Sequence, residues 1–355
     1  MNTHTIDTST PAVPADDYDT TAFFADPDAI VTVTNTTDSQ TVPLPTPDAS
    51  TAELLAAVQE AGRRTVPAPF AETALVARPL LRRAGLSVPE GPLTYAIAPQ
   101  LTIRHAHPAA SAVGSAGSAG EDDTLLVAGT LRRVPWARTA TAVVVLANAP
   151  FGPVLFTLTP DQAVLAPGAN LAEEARDDLH LASVEIPAAQ VRRIPRELLE
   201  EAELRAALAR AALIAGAGQR CVELTVAHTT ARTQFGRPLS RFQAVKQEEA
   251  KLIEEAALVR AAVQAAAAPL DAGTAAARFA IAGAKTQASA SAAEIARIAH
   301  QLHGAIGITK LHPLHLATTR LWSWRDEDGD ETTWAAGLAR TLTADTLWAA
   351  LTSTP

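Results

Sequence analysis

Three stretches of this 355-residue chain carry side chains whose types and spacing could do chemistry. The first reads Ala231-Arg-Thr-Gln-Phe-Gly-Arg-Pro-Leu and continues as Arg241-Phe-Gln-Ala-Val. An arginine at a helix C-terminus offsets the helix dipole, Gly236 can end the helix in a left-handed turn, and Pro238 prevents its resumption. Those roles explain a turn but not the whole string. The second, Gln301-Leu-His-Gly-Ala-Ile-Gly-Ile-Thr, sets a G-x-x-G loop after a helix, where a cap and a turn need no ligand. The third is the acidic run Asp326, Glu327, Asp328, Asp330 and Glu331, a concentration of carboxylates that by itself reads as a solvated loop. His303, His312 and His315 also lie close in sequence. Their spacings of 9 and 3 do not share one helix face, Pro313 breaks the segment, and no cysteine is near. Surface or capping histidines are therefore expected, and no metal site.

These groups must be positioned by a mainly helical protein. The 48% hydrophobic content is dominated by alanine, the strongest helix former, while aromatics make up only 4%. Residues 1–50, rich in Thr, Asp, Pro and Ser, read as a mostly flexible segment with an isolated strand at Ile30–Val33. Residues 51–90 read as a short helical unit of two helices, the second entered after Pro67 and Pro69 and ending near Gly85. Residues 91–195 change to β-branched runs such as Ala142–Leu146 and Val154–Leu158, predicting a small antiparallel β domain with a flexible loop at 112–123. From 196 to 355 the chain reads as a bundle of four helices, at 197–232, 240–268, 273–303 and 335–352. Within the third, Ile281, Ala288, Ala292, Ile295, Ala299 and Leu302 form one apolar stripe.

Composition excludes several classes. A net charge of −9 argues against a nucleic-acid surface, and the alanine run 261–268 is far shorter than the roughly 20 residues a bilayer requires. One cysteine, Cys221, allows no intrachain disulfide. With no basic region followed by an apolar core at the N-terminus, a cytoplasmic protein is expected.

The first string resembles the acyl-CoA dehydrogenase signature R-x-x-F-G-x-x-[IL]-x-x-[FH]-Q, carried here by Arg232, Phe235, Gly236, Leu239, Phe242 and Gln243. The resemblance implies a flavin enzyme in which Arg232 contacts the FAD pyrophosphate, usually of a neighbouring subunit, with Phe235 and Gln243 against the cofactor. A guanidinium suits that task because it is always charged and can grip phosphate oxygens in two places. The second string resembles the family's Q-x-x-G-G-x-G loop, which approaches the adenosine and phosphate portion of FAD, through Gln301, Gly304 and Gly307, with Ala305 in place of the second glycine. Gly129-Thr-Leu-Arg-Arg-Val-Pro-Trp-Ala resembles the G-x-x-x-x-V-P-x-A segment of actinobacterial members. The implied architecture is a truncated N-terminal helical unit, a middle antiparallel β domain and a C-terminal four-helix bundle.

In the family a carboxylate removes the α-proton of an acyl thioester while Cβ gives hydride to the flavin, forming an α,β-double bond. Most members carry that base as Glu in Y-E-G-T. Followed without gaps from Gln301, this position falls on Asp328, with Gly329 matching the glycine. The alternative base position on the first bundle helix falls near Ala206, which cannot act. The family's T-E-P-x-x-G-S-D segment is reduced to Ala98-Pro-Gln. The resemblance thus implies an FAD-dependent acyl-CoA dehydrogenase subunit, with two alternatives: a non-catalytic partner in a heteromeric assembly, or a biosynthetic relative with altered chemistry. The expected partners are an acyl thioester and a homologous subunit or a second copy of the chain, in a dimer or tetramer.

Overall fold

The computed structural model describes residues 30–35, 38–43, 49–98, 100–106 and 124–341. The loop expected at 112–123 and residues 342–352 of the last expected helix lie outside the described residues. The strand expected at 30–33 runs Ile30–Asn35 (β1) and is not isolated: it pairs antiparallel with Asp38–Pro43 (β2). Helix α1, Thr51–Arg63, opens on a capping box in which the Ser50 hydroxyl accepts from the Glu53 amide and the Glu53 carboxylate accepts from the Ser50 amide. After the two prolines a π-helical turn, Glu72–Ala77, runs into α2, Arg78–Arg83.

The middle of the chain forms two four-stranded sheets. One orders Leu93–Ile97 (β3), Ala142–Ala149 (β6), Gly152–Leu158 (β7) and Val191–Arg193 (β10) as β10-β7-β6-β3. The other orders Thr102–His105 (β4), Leu125–Pro135 (β5), Val164–Ala166 (β8) and Arg176–Ile186 (β9) as β4-β5-β9-β8. Pairing is antiparallel except between β3 and β6, which run parallel. Val127, Val143, Val145, Phe156 and Leu179 fill the space between the sheets, whereas Tyr95, Val144, Leu146 and Leu155 turn toward the helices. A strand buried on both faces is why Ala142–Leu146 is a continuous apolar run rather than an alternating one.

The helical region comprises α3 (Arg196–Ala231), α4 (Gln243–Ala265), α5 (Ala267–Ala272), α6 (Thr274–His303), α7 (Leu314–Asp326) and α8 (Glu331–Thr341). Helices α3 and α6 are parallel, since Arg278 pairs with Glu200 at 2.6 Å near their starts and His228 stacks on His303 near their ends. Helix α4 runs the other way, with Glu248 pairing with Arg297 at 3.3 Å and Lys251 pairing with Glu294. The apolar stripe of α6 is buried as its spacing predicts, with Ile281, Ala288, Ala292, Ile295 and Ala299 at 0% exposure. Helix α7 is absent from the four expected helices, although Leu314, Ala317, Leu321 and Trp324 recur at helical spacing and are buried. Where α1 crosses α3 the backbones touch: a Cβ on Gly216 would stand 1.9 Å from the Gln59 carbonyl oxygen.

Candidate functional site

Two places in this fold gather chemistry-bearing groups. A cavity of about 710 Å³ opens beside the junction of the β region and the helices. Its walls are Arg133 and Pro135 of β5, the segment 169–171, Arg176 of β9, Arg210 of α3, and Trp322, Ser323 and residues 326–328 at the end of α7. Asp328 is brought into this wall by its backbone. It sits at φ 55 and Gly329 at φ 89, so the chain turns sharply after α7, in a left-handed conformation that Asp and Gly tolerate best. The Trp334 indole N–H donates to the Asp328 carbonyl at 2.9 Å and fixes the turn.

The Asp328 carboxylate is not free. Its Oδ2 accepts from Arg210 Nε and from the Tyr95 hydroxyl, each at 2.8 Å. Arg210 also donates to Glu72 at 2.8 Å and lies 3.2 Å from Glu327, which Arg176 grips through two N–H groups at 2.8 Å. Arg176 and Arg320 converge on Glu174, to which the Trp324 indole also donates. One ionic cluster therefore joins the π-helical turn, β3, β9, α3 and α7. Burial raises the Glu327 pKa, but Arg210 and Arg176 outweigh it and bring the group down to about 2. Burial, followed by the Asp328 charge, pushes the Tyr95 phenol well above its usual range. Beneath the turn, Lys285 of α6 donates to the carbonyls of Trp324 and Arg325 and to Ser289, and burial lowers its ammonium to about 8.

The acidic run is thus not simply a solvated loop. The Asp326 side chain is 67% exposed, but that of Glu327 is 13% exposed and completes a buried ion cluster. Sequence reasoning missed Glu72, Tyr95, Arg176, Arg210, Arg320 and Lys285. A signal was present at Arg210, a charge within the otherwise apolar stretch 206–218 of α3.

The second place is the far end of the bundle. Arg232 caps α3 with its amide on the His228 carbonyl, is exposed, and has no ion pair among the described residues. Thr233–Gln234 and Arg237–Pro238 pair as a two-residue hairpin whose tip is Phe235 at φ 51 and Gly236 at φ 76. A phenylalanine in that conformation is strained, yet its ring is 91% exposed. Gln243 opens α4, also exposed, next to Phe242, over whose ring the Arg237 guanidinium lies 4.1 Å away. The His228–His303 stack, with ring centroids 4.6 Å apart, brings this hairpin beside the end of α6, where Gln301, Gly304 and Ala305 are exposed and Gly307 is buried. Gly304 has φ 65, so glycine is required there, and a Cβ would meet nothing within 4 Å, leaving open space over the turn. The structure thus brings Arg232, Phe235, Gln243, Gln301, Gly304, Ala305 and Gly307 to one end, and puts Asp328 elsewhere. At roughly 1.5 Å per residue, Arg210 at the cavity and Arg232 are separated by about 33 Å along α3.

The free guanidinium, the open glycine turn and the exposed aromatic ring suit the phosphate and ring groups of a dinucleotide.

The arrangement is a β domain inserted between helical units, and the comparisons agree on that fold. Residues 202–330 match the family model for the acyl-CoA dehydrogenase C-terminal domain. Over 112 residues, 31% of this chain, the sequence is 42% identical to acyl-CoA dehydrogenase IpdE2 of Mycobacterium tuberculosis and 40% identical to the protein of that name from Mycolicibacterium smegmatis. The matched stretch spans about a third of those relatives, 33% and 34% of their length. Among solved structures, the ChsE4-ChsE5 complex from Mycobacterium tuberculosis aligns with a TM-score of 0.70 and 21% identity, over 85% of this chain and 81% of that one. The Tcur3481-Tcur3483 steroid ACAD aligns with a TM-score of 0.67 and 23% identity, over 85% and 82%. Residues 202–330 thus resemble the C-terminal domain of the acyl-CoA dehydrogenase family. Members of that family are typically FAD-using oxidoreductases acting on CH–CH bonds. Among the described residues no helix is long and apolar enough to cross a membrane.

Proposed function

We propose that this chain is one subunit of an FAD-dependent acyl-CoA dehydrogenase that introduces an α,β-double bond into an acyl thioester, and that it works paired with a homologous subunit. The separation of the two places described above carries this reading. Groups that suit a flavin's phosphates and adenosine stand about 33 Å along α3 from the chain's own cavity, at roughly 1.5 Å per residue, beyond the reach of one side chain. Arg232, Phe235, Gln243 and the 301–307 loop would therefore serve a flavin lying largely on a neighbouring chain. The apolar exposure of the same end supports a protein contact there: Phe235 is 91%, Ile308 77% and Leu311 79% exposed. Both structural relatives named above are complexes of two different chains, which favours a homologous partner over a second copy. A bound flavin would accept the hydride from the substrate.

The test is to purify the chain alone and after co-expression with candidate partner subunits, then measure mass and flavin per chain. A heteromer holding FAD, with flavin lost in Arg232→Ala but retained in the exposed control Arg260→Ala, is expected. A homotetramer with one FAD per chain and full thioester oxidation would overturn the pairing.

A second reading is favoured by one observation, that Asp328 lines the cavity at the register of the family's base. If it takes the α-proton, Asp328→Asn stops α-proton exchange of a bound thioester without changing flavin content. The Arg210 and Tyr95 contacts argue for the first reading, because they stabilise the carboxylate where it is and give it a structural task.

A further inference from the structure

Spacing along the chain argued against a metal site at His303, His312 and His315. The tertiary structure substitutes a different third member. His228, one turn before the end of α3, stacks on His303, the last residue of α6. His312, in the connection to α7, packs edge-on against the His303 ring at 4.6 Å between centroids. One ring nitrogen from each of His228, His303 and His312 lies within 4.8 Å of the others. We propose that these three imidazoles form a binding site for a divalent transition-metal ion of the zinc class, with water as the fourth ligand.

Four features carry this beyond mere proximity. First, His303 is buried, its Nδ1 is anchored on the Ala299 carbonyl at 2.7 Å, and its Nε2 is buried with no hydrogen-bond partner. A backbone carbonyl accepting from Nδ1–H is the usual arrangement that fixes a ligating imidazole and leaves Nε2 as its electron pair. A buried unpaired nitrogen is otherwise costly. Second, the ring nitrogens of His228 have no hydrogen bond among the described residues, so its ring can turn from its stacked pose without breaking one. Third, His228 and His312 are only half-buried, which gives an ion and its water a way in. Fourth, α3 and α6 both end here, and converging helix C-termini favour a cation. Two features oppose it: the Arg220 and Arg232 charges lie near His312 and His228, and the Leu314 amide donates to His312 Nδ1 at 3.2 Å, a long contact that ligation through Nε2 would give up. For tetrahedral zinc with Zn–N near 2.1 Å, ligand nitrogens sit roughly 3.4 Å apart, so nitrogens now up to 4.8 Å apart must close by as much as about 1.4 Å. Three imidazoles without cysteine suit zinc, nickel or copper rather than calcium or magnesium.

Such an ion would tie the end of α3 to the end of α6 and to the loop before α7, and so fix the Arg232 hairpin against the Gly304 turn. The site itself does not depend on flavin binding. The test uses the full chain stripped with a chelator and titrated with cobalt chloride, read by visible absorption, then with zinc chloride, read by displacement of the cobalt bands and by the thermal midpoint. Intense bands of low-coordinate cobalt are expected, with one ion per chain and a rise of several degrees in the midpoint with zinc. His312→Asn, in a loop, and His228→Gln, half-buried, should each weaken binding by at least about tenfold, as loss of even an outer-shell partner does. His315→Asn should bind like the parent, since His315 Nδ1 contacts the His312 carbonyl and lies outside the trio. Absence of the cobalt bands from the parent, or bands unchanged in both His228→Gln and His312→Asn, would overturn the site.

Discussion

Arg210→Met tests the ionic cluster at the cavity. Arg210 is 2% exposed and contacts three carboxylates, donating to Glu72 and Asp328 at 2.8 Å each and lying 3.2 Å from Glu327. Methionine replaces its packing but leaves Glu72, itself 1% exposed, with no cation contact among the described residues. Breaking a buried pair from one side typically costs about 3–5 kcal/mol, because the abandoned charge stays buried. The sign of the pH dependence follows from Glu327, whose pKa falls from 4.5 to about 2 on folding. Stability from that depression is fully present above the unfolded value of 4.5 and is lost as pH falls through about 2. The variant has less of it to lose, so its deficit against the parent should be largest near neutrality and narrow as the pH drops below 4.5. Urea unfolding of both proteins at about pH 7 and about pH 4, with the double variant Glu72→Gln/Arg210→Met, measures this. The double variant should recover at least about 1 kcal/mol by removing the stranded charge. A deficit below about 1 kcal/mol near neutrality, with no narrowing in acid and no rescue, would refute the assignment of this cluster as coupled and buried.

Other outcomes follow from single contacts. Gly216→Ala puts a Cβ 1.9 Å from the Gln59 carbonyl oxygen, so α1 must move off α3; a loss of about 1–3 kcal/mol is expected in urea unfolding. A loss near zero would mean that the crossing is loose. Lys285 has its pKa lowered from 10.5 to about 8 by burial, so the unfolded chain binds more protons between those values and the parent should gain stability as pH rises through that window. Lys285→Met should flatten that rise, and equal slopes in parent and variant would show that Lys285 is not buried as a cation. Gly304→Ala, at φ 65 and ψ −146 with open space around it, should cost about 1–3 kcal/mol from backbone strain alone. A flavin titration of that variant then shows whether a side chain over the turn also blocks cofactor approach.

By itself the sequence determined the local elements and their order. Alanine-rich periodicity set the helices, and the stripe Ile281 to Ala299 identified the face of α6 that packs inward, because a helix repeats its face every 3.6 residues whatever it packs against. The β-branched runs marked the strands, and the turn chemistry of Gly236 and Pro238 marked the end of α3. The Arg232 and Gln301 strings pointed to the family because their residues are local and their spacing survives in the chain. What the sequence could not decide was which distant elements share a space. Glu327 and Asp326 are adjacent and chemically alike, yet one is buried against Arg176 and Arg210 while the other faces solvent, because a turn at φ 55 and partners from β9 and α3 select one direction. His303 gained His228 in place of the sequence neighbour His315, since α3 and α6 are parallel and end together. The same parallel packing put the Arg232 end of the bundle far from the cavity that Asp328 lines. Burial and charge pairing are properties of the packed molecule, and they appear only when helices and sheets separated in sequence are brought into contact.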